Sequence, residues 1–254
     1  MKRSNYVRLN NEEHKDILVD ESRAIVAWKV TQNCNLVFDE IFSAAGCFPI
    51  FFMKNPSNGE FMITPIFSLR SGVNLFIDNG RWRAPYCPLN LLRYPFAVSQ
   101  DSSNEGTHDI FIDLNEVVKS EGEGLRLFSS DGGETAFLKD RKQILGAIVS
   151  GKDRTQQFID TLQEFDLLSE MILTLDTVGG RNRVAGLYAI DHYKMKTLSN
   201  SSYDKLIARD MLEPIYQIKA STAQISRLIW LENEGATNSI LGFSLSPNDS
   251  ASSL

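Results

Sequence analysis

The chain has 254 residues, with 26 basic and 32 acidic side chains, which give it a formal net charge of −6. Hydrophobic residues make up 43% of the chain and charged residues 23%; these proportions are those of globular proteins and exclude a collagenous or wholly disordered chain. No stretch approaches the roughly 18 apolar residues that span a bilayer, and the net acidity argues against a protein whose main partner is a nucleic acid.

The first half of the chain predicts strands joined by short turns, because β-branched and aromatic residues cluster between Gly, Asn, Asp and Pro. In chain order the predicted elements are a strand over 24–30, a short helix over 39–46, a central strand covered on both faces over 48–53, its hairpin partner over 60–69, a strand over 73–77, one helical turn over 89–93 and a strand over 108–114.

The second half predicts helices with one hairpin among them. Apolar residues recur at helical spacing from about Thr135 to Phe165. The later elements are a strand pair over 170–176 and 184–190 around a Gly-Gly turn, and helices over 203–212 and 215–231, the last opened by Pro214. The fold class predicted is therefore α+β: a strand-rich N-terminal half with hairpins and a helical C-terminal half packed on the sheet.

The domain prediction is a single α+β domain over residues 1–232. From 233 to 254 Gly, Ser and Asn dominate and the periodicity disappears, which predicts a flexible tail. Three widely spaced cysteines indicate reduced thiols in place of a disulfide framework. The basic N-terminus lacks the apolar stretch of a secretory signal. We therefore expect a cytoplasmic protein, with the cell surface as the alternative.

The triplet His14-Lys15-Asp16 is a candidate for metal ligation, since it has the form of the local half of a two-histidine-one-carboxylate iron site. On a strand, His14 and Asp16 would point to the same side, and His108 or His192 would supply the second histidine. The competing interpretation, favoured by the polar surroundings, is a histidine held by a local hydrogen bond. We accordingly expect no cofactor, with Fe(II) required only if the protein is a small oxygenase.

Other catalytic motifs are incomplete. Residues 242–246 lack the closing glycine of a nucleophile elbow, and no histidine stands near a cysteine in the sequence. The turn over 179–183 lacks the spacing of a phosphate-binding loop, and residues 131–134 lack the further ligands of a calcium loop. Because these motifs are incomplete, the sequence favours a protein that is not an enzyme over one that is.

Residues 82–96 hold more aromatic and proline residues than a loop needs, and arginines interleave with them. Arginine on aromatic faces can form a platform for a peptide or an anionic ligand. The competing interpretation is a packed crossover that covers a sheet edge, where proline and arginine block strand addition. The candidate ligand-binding residues are Arg81, Trp82, Tyr86, Arg93 and Tyr94.

A series of short motifs also runs through the chain: Leu9-Asn10 with His14, Phe48-Pro49-Ile50-Phe51-Phe52 with Lys54, Asn74-Leu75-Phe76-Ile77-Asp78 with Gly80-Arg81-Trp82, Arg93-Tyr94-Pro95-Phe96, Gly186-Leu187-Tyr188 with Ile190-Asp191, and Leu212 with Pro214-Ile215-Tyr216 and Ser221. In this order and spacing they resemble the SapC-like family of bacterial surface-layer-associated proteins, from about residue 5 to 232. Within the matched motifs, His14, Trp82 and Tyr94 are the positions to test first.

The resemblance implies association with a paracrystalline surface layer, and relatives tend to be encoded near TonB-dependent receptors, cupin-like proteins and proteins similar to flavin-dependent tryptophan halogenases. That setting implies the handling of a nutrient or peptide, and no catalytic assignment comes with it. We expect a binding or accessory module for a peptide, an amino-acid derivative or a partner protein. The alternatives are a modifying enzyme, such as an Fe(II)-dependent oxygenase using His14 and Asp16, and a surface-layer component.

Overall fold

The computed structural model describes residues 5–99, 108–119, 123–234 and 239–248. In chain order its elements are β1 (Tyr6–Arg8), β2 (Ile17–Val19), α1 (Glu21–Lys29), α2 (Ile41–Ala45), β3 (Ile50–Lys54), β4 (Phe61–Pro65), β5 (Ile77–Asp78), β6 (Arg81–Trp82), α3 (Leu89–Leu92), β7 (Phe96–Val98), β8 (Ile110–Asp113), β9 (Val117–Lys119), β10 (Leu125–Arg126), α4 (Ala136–Glu164), β11 (Leu168–Thr177), β12 (Gly180–Ile190), α5 (His192–Thr197), α6 (Asn200–Ala208), α7 (Leu212–Ser221), α8 (Ile225–Asn233) and β13 (Ile240–Pro247). The α+β class is confirmed.

The chain divides into two compact units. Unit 1 comprises Met1–Lys29, Ile77–Trp82 and Cys87–Ser150, and unit 2 comprises Val30–Phe76, Arg83–Tyr86 and Gly151–Leu254. That residues 1–232 form a single domain stays a prediction. In the four described ranges, no helix combines the length and apolar character needed to cross a membrane.

Unit 1 is built on short antiparallel sheets, in the orders β1-β8-β7 and β10-β2-β9, with a two-stranded hairpin of β5 and β6. Its core includes Val19, Phe96 and Ile112 from the strands. Leu138 and Leu145 of α4 complete the core, seven residues apart and therefore on one face of the helix.

Unit 2 is built on a five-stranded antiparallel sheet in the order β13-β11-β12-β3-β4. The prediction of a central strand is confirmed by β3, in which Ile50, Phe51 and Phe52 are at most 1% exposed, so that both faces are covered. Ser221 of α7 accepts the backbone N–H of Ile50 at 2.9 Å, which ties this helix to the sheet.

Unit 2 also includes a close approach at Gly151 of α4. A Cβ at this position would lie 2.8 Å from the Cβ of Val37, a separation that real Cβ atoms essentially never show. The absence of a side chain at Gly151 therefore lets the helix pack against the side chain of Val37.

The prediction of a strand over 24–30 is wrong, because this segment lies in helix α1. Asp20 caps the helix by accepting a backbone N–H from its first turn at 2.9 Å. Ala24 and Trp28 are four residues apart and share a face, whereas Val26 is 66% exposed. The burial pattern is helical, so tertiary packing has overridden the strand propensity of the β-branched residues.

Most other predicted elements are confirmed, namely the helices at 39–46, 89–93 and from 135, the hairpins of β3 with β4 and of β11 with β12, and the strand within 108–114. Residues 73–76 are not a strand, and 215–231 holds two helices joined by a 3₁₀ turn.

The C-terminal segment contains regular structure that its composition did not predict. Residues 240–247 form β13, which pairs with β11. The side-chain amide of Asn233 accepts the N–H of Ile240 at 2.8 Å and donates to its carbonyl at 2.9 Å, which anchors the start of the strand. Residues 235–238 and 249–254 of the predicted tail lie outside the described residues.

Candidate functional site

Unit 1 contains a cavity of about 220 Å³. Its lining residues are Val19, Glu21, Ala24, Ile25, Trp28, Leu92, Tyr94 and Arg141. Half of them come from α1, at positions i, i+3, i+4 and i+7, which form one face of a helix. The Glu21 side chain is 58% exposed, so the cavity reaches solvent on that side.

An aromatic pair supports one wall of this cavity. The Trp82 ring meets the Trp28 ring edge to face, with centroids 6.2 Å apart and planes at 81°. Such a geometry is favourable for two π-systems. Trp28 lines the cavity, and Trp82 is the ring against which it packs.

Tyr94 contributes an aromatic ring whose hydroxyl is hydrogen-bonded within unit 1. The hydroxyl donates to Oε2 of Glu116, so both partners of this hydrogen bond belong to unit 1. Burial, together with the hydrogen bond and negative charge of Glu116, raises the pKa of Tyr94 well above its usual range. Tyr94 therefore remains protonated at neutral pH and presents an uncharged ring to the cavity.

Arg141 is the cation of the site, and it is partly buried. Its side chain is 12% exposed, and its guanidinium lies 4.8 Å from the centroid of the Phe137 ring. Nη2 donates to Oε1 of Glu21 at 2.8 Å, and Nη1 donates to Oδ2 of Asp140 at 3.1 Å. Nε is buried and has no hydrogen-bond partner within the described residues. One donor of a buried charged group is thus unused.

Three of the five predicted ligand-binding residues do not line the cavity of unit 1. Arg81 is exposed at the end of the β5–β6 hairpin. Arg93 donates from Nη1 to the carbonyl of Phe96 at 2.6 Å, which braces the turn after α3. In unit 2, the Tyr86 hydroxyl donates to buried Glu40 at 2.7 Å. Of the predicted set, Tyr94 lines the cavity and Trp82 supports it.

Sequence reasoning missed Glu21 and Arg141, which contribute opposite charges to the cavity. Because 120 positions separate them, no local motif could join them. The apolar face of α1 does carry a signal, since Ala24, Ile25 and Trp28 follow helical spacing. Glu21 continues that face one turn earlier, and would have been found had the segment been interpreted as a helix.

His14 and Asp16 lie in a turn before β2 and not on a strand. His14 is 3% exposed, and its Nδ1 accepts a hydrogen bond from the Asn10 N–H at 3.1 Å, whereas Asp16 is exposed. Across the described ranges, no three His, Cys, Asp or Glu side chains are grouped closely enough to hold a metal ion. The geometry of His14 therefore fits the local hydrogen bond better than an iron ligand.

Unit 2 has a cavity of its own, of about 180 Å³, to which the sheet contributes six of the 13 lining residues. Ser68, on its wall, donates to the buried carboxylate of Glu232 at 2.7 Å. Glu232 also accepts the backbone N–H of Leu69 at 3.0 Å and a hydrogen bond from Arg70. These bonds join α8 to the segment after β4, so the polar groups here have a structural role.

The family model SapC matches residues 9–228, and the chain therefore belongs to the SapC family, as the order of its motifs predicts. No curated protein and no solved structure matches it. The matched range includes all the residues that line the cavity of unit 1. The candidate site is thus part of the region that defines the family.

Proposed function

We propose that this SapC-family protein is a binding module whose unit 1 cavity receives one apolar group of a peptide, a partner protein or an amino-acid derivative. The observation that supports the proposal is a preformed apolar cavity beside Trp28 with three polar side chains, Glu21, Tyr94 and Arg141, on its wall. Ligand sites are commonly concave and mostly apolar, with a few polar groups that fix orientation.

The size of the cavity narrows the ligand. A volume of about 220 Å³ lies below the roughly 300–1,000 Å³ of pockets that enclose drug-sized molecules. It therefore suits a single residue-sized group. A larger partner would bind by inserting one side chain here and would make its remaining contacts elsewhere.

The polar groups of the cavity support binding over proton transfer. The Tyr94 hydroxyl is held by Glu116, and Glu21 and Arg141 are paired with each other. General acid–base catalysis needs a group that can exchange its proton near neutral pH. The raised pKa of Tyr94 removes it from that role.

The test uses analogues of single side chains and a tryptophan signal confined to unit 1. The chain has three tryptophans, and Trp230 is 59% exposed on α8, so Trp230→Phe leaves only Trp28 and Trp82 as reporters. Toluene, the analogue of a phenylalanine side chain, should then produce a saturable change in fluorescence. Ala24→Leu should weaken this binding at least tenfold, because it fills the cavity while keeping a good helix former.

The matched control is Ala27→Leu, the same change on the same helix but outside the cavity lining. It should leave toluene binding within about twofold of the unmodified protein, since the cavity volume is unchanged. Absence of saturable toluene binding, or equal binding by the Ala24→Leu variant, would overturn the proposal.

Surface-layer association is the second role implied by family membership. We propose a cytoplasmic location for the protein. Cell fractionation with an antibody against the full chain tests that location. Recovery on the cell exterior together with self-assembly of the purified protein would replace the cytoplasmic binding module with a surface component. Crosslinking in the native cell would then identify the neighbouring proteins.

A further inference from the structure

The hydrogen-bonding state of Arg141 narrows the ligand class further. A guanidinium has five N–H donors in a planar fork, and its Nε–Nη2 edge can bind both oxygens of one carboxylate. In this structure Nη2 donates to Glu21 at 2.8 Å, while Nε is buried without a partner among the described residues. The edge suited to a carboxylate is therefore only half used.

The two members of this ion pair differ in their freedom to move. Arg141 is 12% exposed and packed on Phe137, whereas Glu21 is 58% exposed at the first position of α1. An exposed carboxylate is hydrated and can change rotamer at little cost in free energy, because surface ion pairs are weak. An incoming carboxylate could therefore displace Glu21 from Nη2 and bind Nε as well.

Displacing Glu21 leaves an anion at the mouth of the cavity, where a cationic group of the ligand would satisfy it. A ligand with one positive and one negative group would pair with both Glu21 and Arg141 and leave the net charge of the site unchanged. The apolar wall of Val19, Ile25 and Leu92 then requires an apolar group on the same small molecule.

We infer that the cavity binds a free α-amino acid with an apolar side chain: Arg141 holds its carboxylate through Nε and Nη2, Glu21 holds its ammonium group, and Trp28 and Leu92 contact its side chain. This inference rests on the proposed function. It deepens that proposal by assigning a ligand group to each polar residue at the cavity wall.

The experiment measures Kd for a matched ligand series by calorimetry and by fluorescence of the Trp230→Phe protein. L-phenylalanine has all three groups, N-acetyl-L-phenylalanine lacks the ammonium, L-phenylalaninamide lacks the carboxylate, and toluene lacks both. L-phenylalanine should bind at least tenfold more tightly than each of the other three. Arg141→Gln should remove the advantage that L-phenylalanine has over L-phenylalaninamide.

Glu21→Gln should instead bring L-phenylalanine and N-acetyl-L-phenylalanine to similar affinity. Arg141→Lys keeps the charge without the fork, so we expect it to lose most of the carboxylate preference. If an Arg141 variant does not fold, as judged by circular dichroism, the ligand series measured on the protein with Arg141 and Glu21 intact still tests the inference.

The outcomes separate the inference from the proposed function. If toluene binds and L-phenylalanine binds no better, the zwitterion assignment is wrong and the binding module stands. If N-acetyl-L-phenylalanine equals L-phenylalanine, the role of Glu21 is overturned and the ligand is a peptide C-terminus. If no member of the series binds saturably, the proposed function itself fails.

Discussion

Each unit of this protein contains an arginine–glutamate ion pair. The glutamate is the less exposed residue in one pair, and the arginine is the less exposed residue in the other. In unit 2 the Glu232 side chain is 3% exposed and Arg70 is 60% exposed. In unit 1 the cation is the less exposed member, with Arg141 at 12% and Glu21 at 58%. The same two residue types thus place either a carboxylate or a guanidinium inside the protein.

The pairs also differ in how completely the buried charge is satisfied. Glu232 accepts hydrogen bonds from Ser68, Leu69 and Arg70, whereas Arg141, whose side chain lines a cavity, has a buried Nε with no partner among the described residues. A buried charge is stable when its hydrogen bonds are complete, and an unused donor is a place where a ligand can contribute. The comparison therefore indicates a structural role for the Arg70–Glu232 pair, the structural pair, and a ligand-binding role for the Arg141–Glu21 pair, the binding pair.

The largest expected effect tests the structural pair. Glu232→Ala leaves the Ser68 hydroxyl and the Leu69 N–H without their buried acceptor, and should lower the free energy of unfolding of unit 2 by about 3 kcal/mol. Urea unfolding followed through Trp230, with Trp28 and Trp82 replaced by Phe, measures it. A loss below about 1 kcal/mol would show that the network contributes little.

The next effect tests the binding pair through linkage. L-phenylalanine at 100 times its Kd should raise the free energy of unfolding of unit 1 by about 2.7 kcal/mol, because a ligand that binds only the folded state stabilises it by mass action. Unfolding of the Trp230→Phe protein with and without the ligand measures the gain. No gain in this protein, together with a gain in the variant in which Trp28 and Trp82 are replaced by Phe so that Trp230 reports on unit 2, would contradict the location of the site.

A smaller effect concerns pH, through Tyr94. The folded-state pKa of Tyr94 is raised above its ordinary value of 10.0, so above pH 10 the unfolded chain loses this proton and the folded protein keeps it. The stabilisation is complete below pH 10 and declines as the pH rises through the folded-state pKa. Unit 1 should therefore lose stability above pH 10, and Tyr94→Phe should lose less over the same range.

The smallest effect concerns the exposed members of the two pairs. Glu21→Gln and Arg70→Gln should each change the free energy of unfolding by less than about 1 kcal/mol, because the replaced side chain is exposed and its less exposed partner keeps other hydrogen bonds. Parallel urea titrations of the two variants check this. A loss of 2 kcal/mol or more from Glu21→Gln would make the Glu21–Arg141 pair structural and weaken its assignment as a ligand site.

Local patterns predicted the hairpins and the long helix because alternation and helical spacing act over a few residues. They also directed attention to Trp82 and Tyr94, since aromatic density is visible in the sequence. The charged half of the site was missed because Glu21 and Arg141 meet only after folding. Because residues 24–30 were predicted as a strand, the helix face that carries Ala24 and Trp28 was not recognised. This one wrong prediction left half of the cavity lining unidentified.

The lack of a side chain at Gly151, where α4 approaches Val37, limits which helix glycines can be replaced to stabilise this protein. Replacing a helix glycine with alanine ordinarily raises stability by about 1 kcal/mol. Gly146, on the same helix, has no atom within 4 Å of the added methyl group and should give that gain. At Gly151 the methyl would collide with Val37, so thermal shift assays should show a higher melting temperature for Gly146→Ala and a lower one for Gly151→Ala. A substitution scheme based on helix propensity alone would treat the two sites as equivalent and lose at one what it gained at the other.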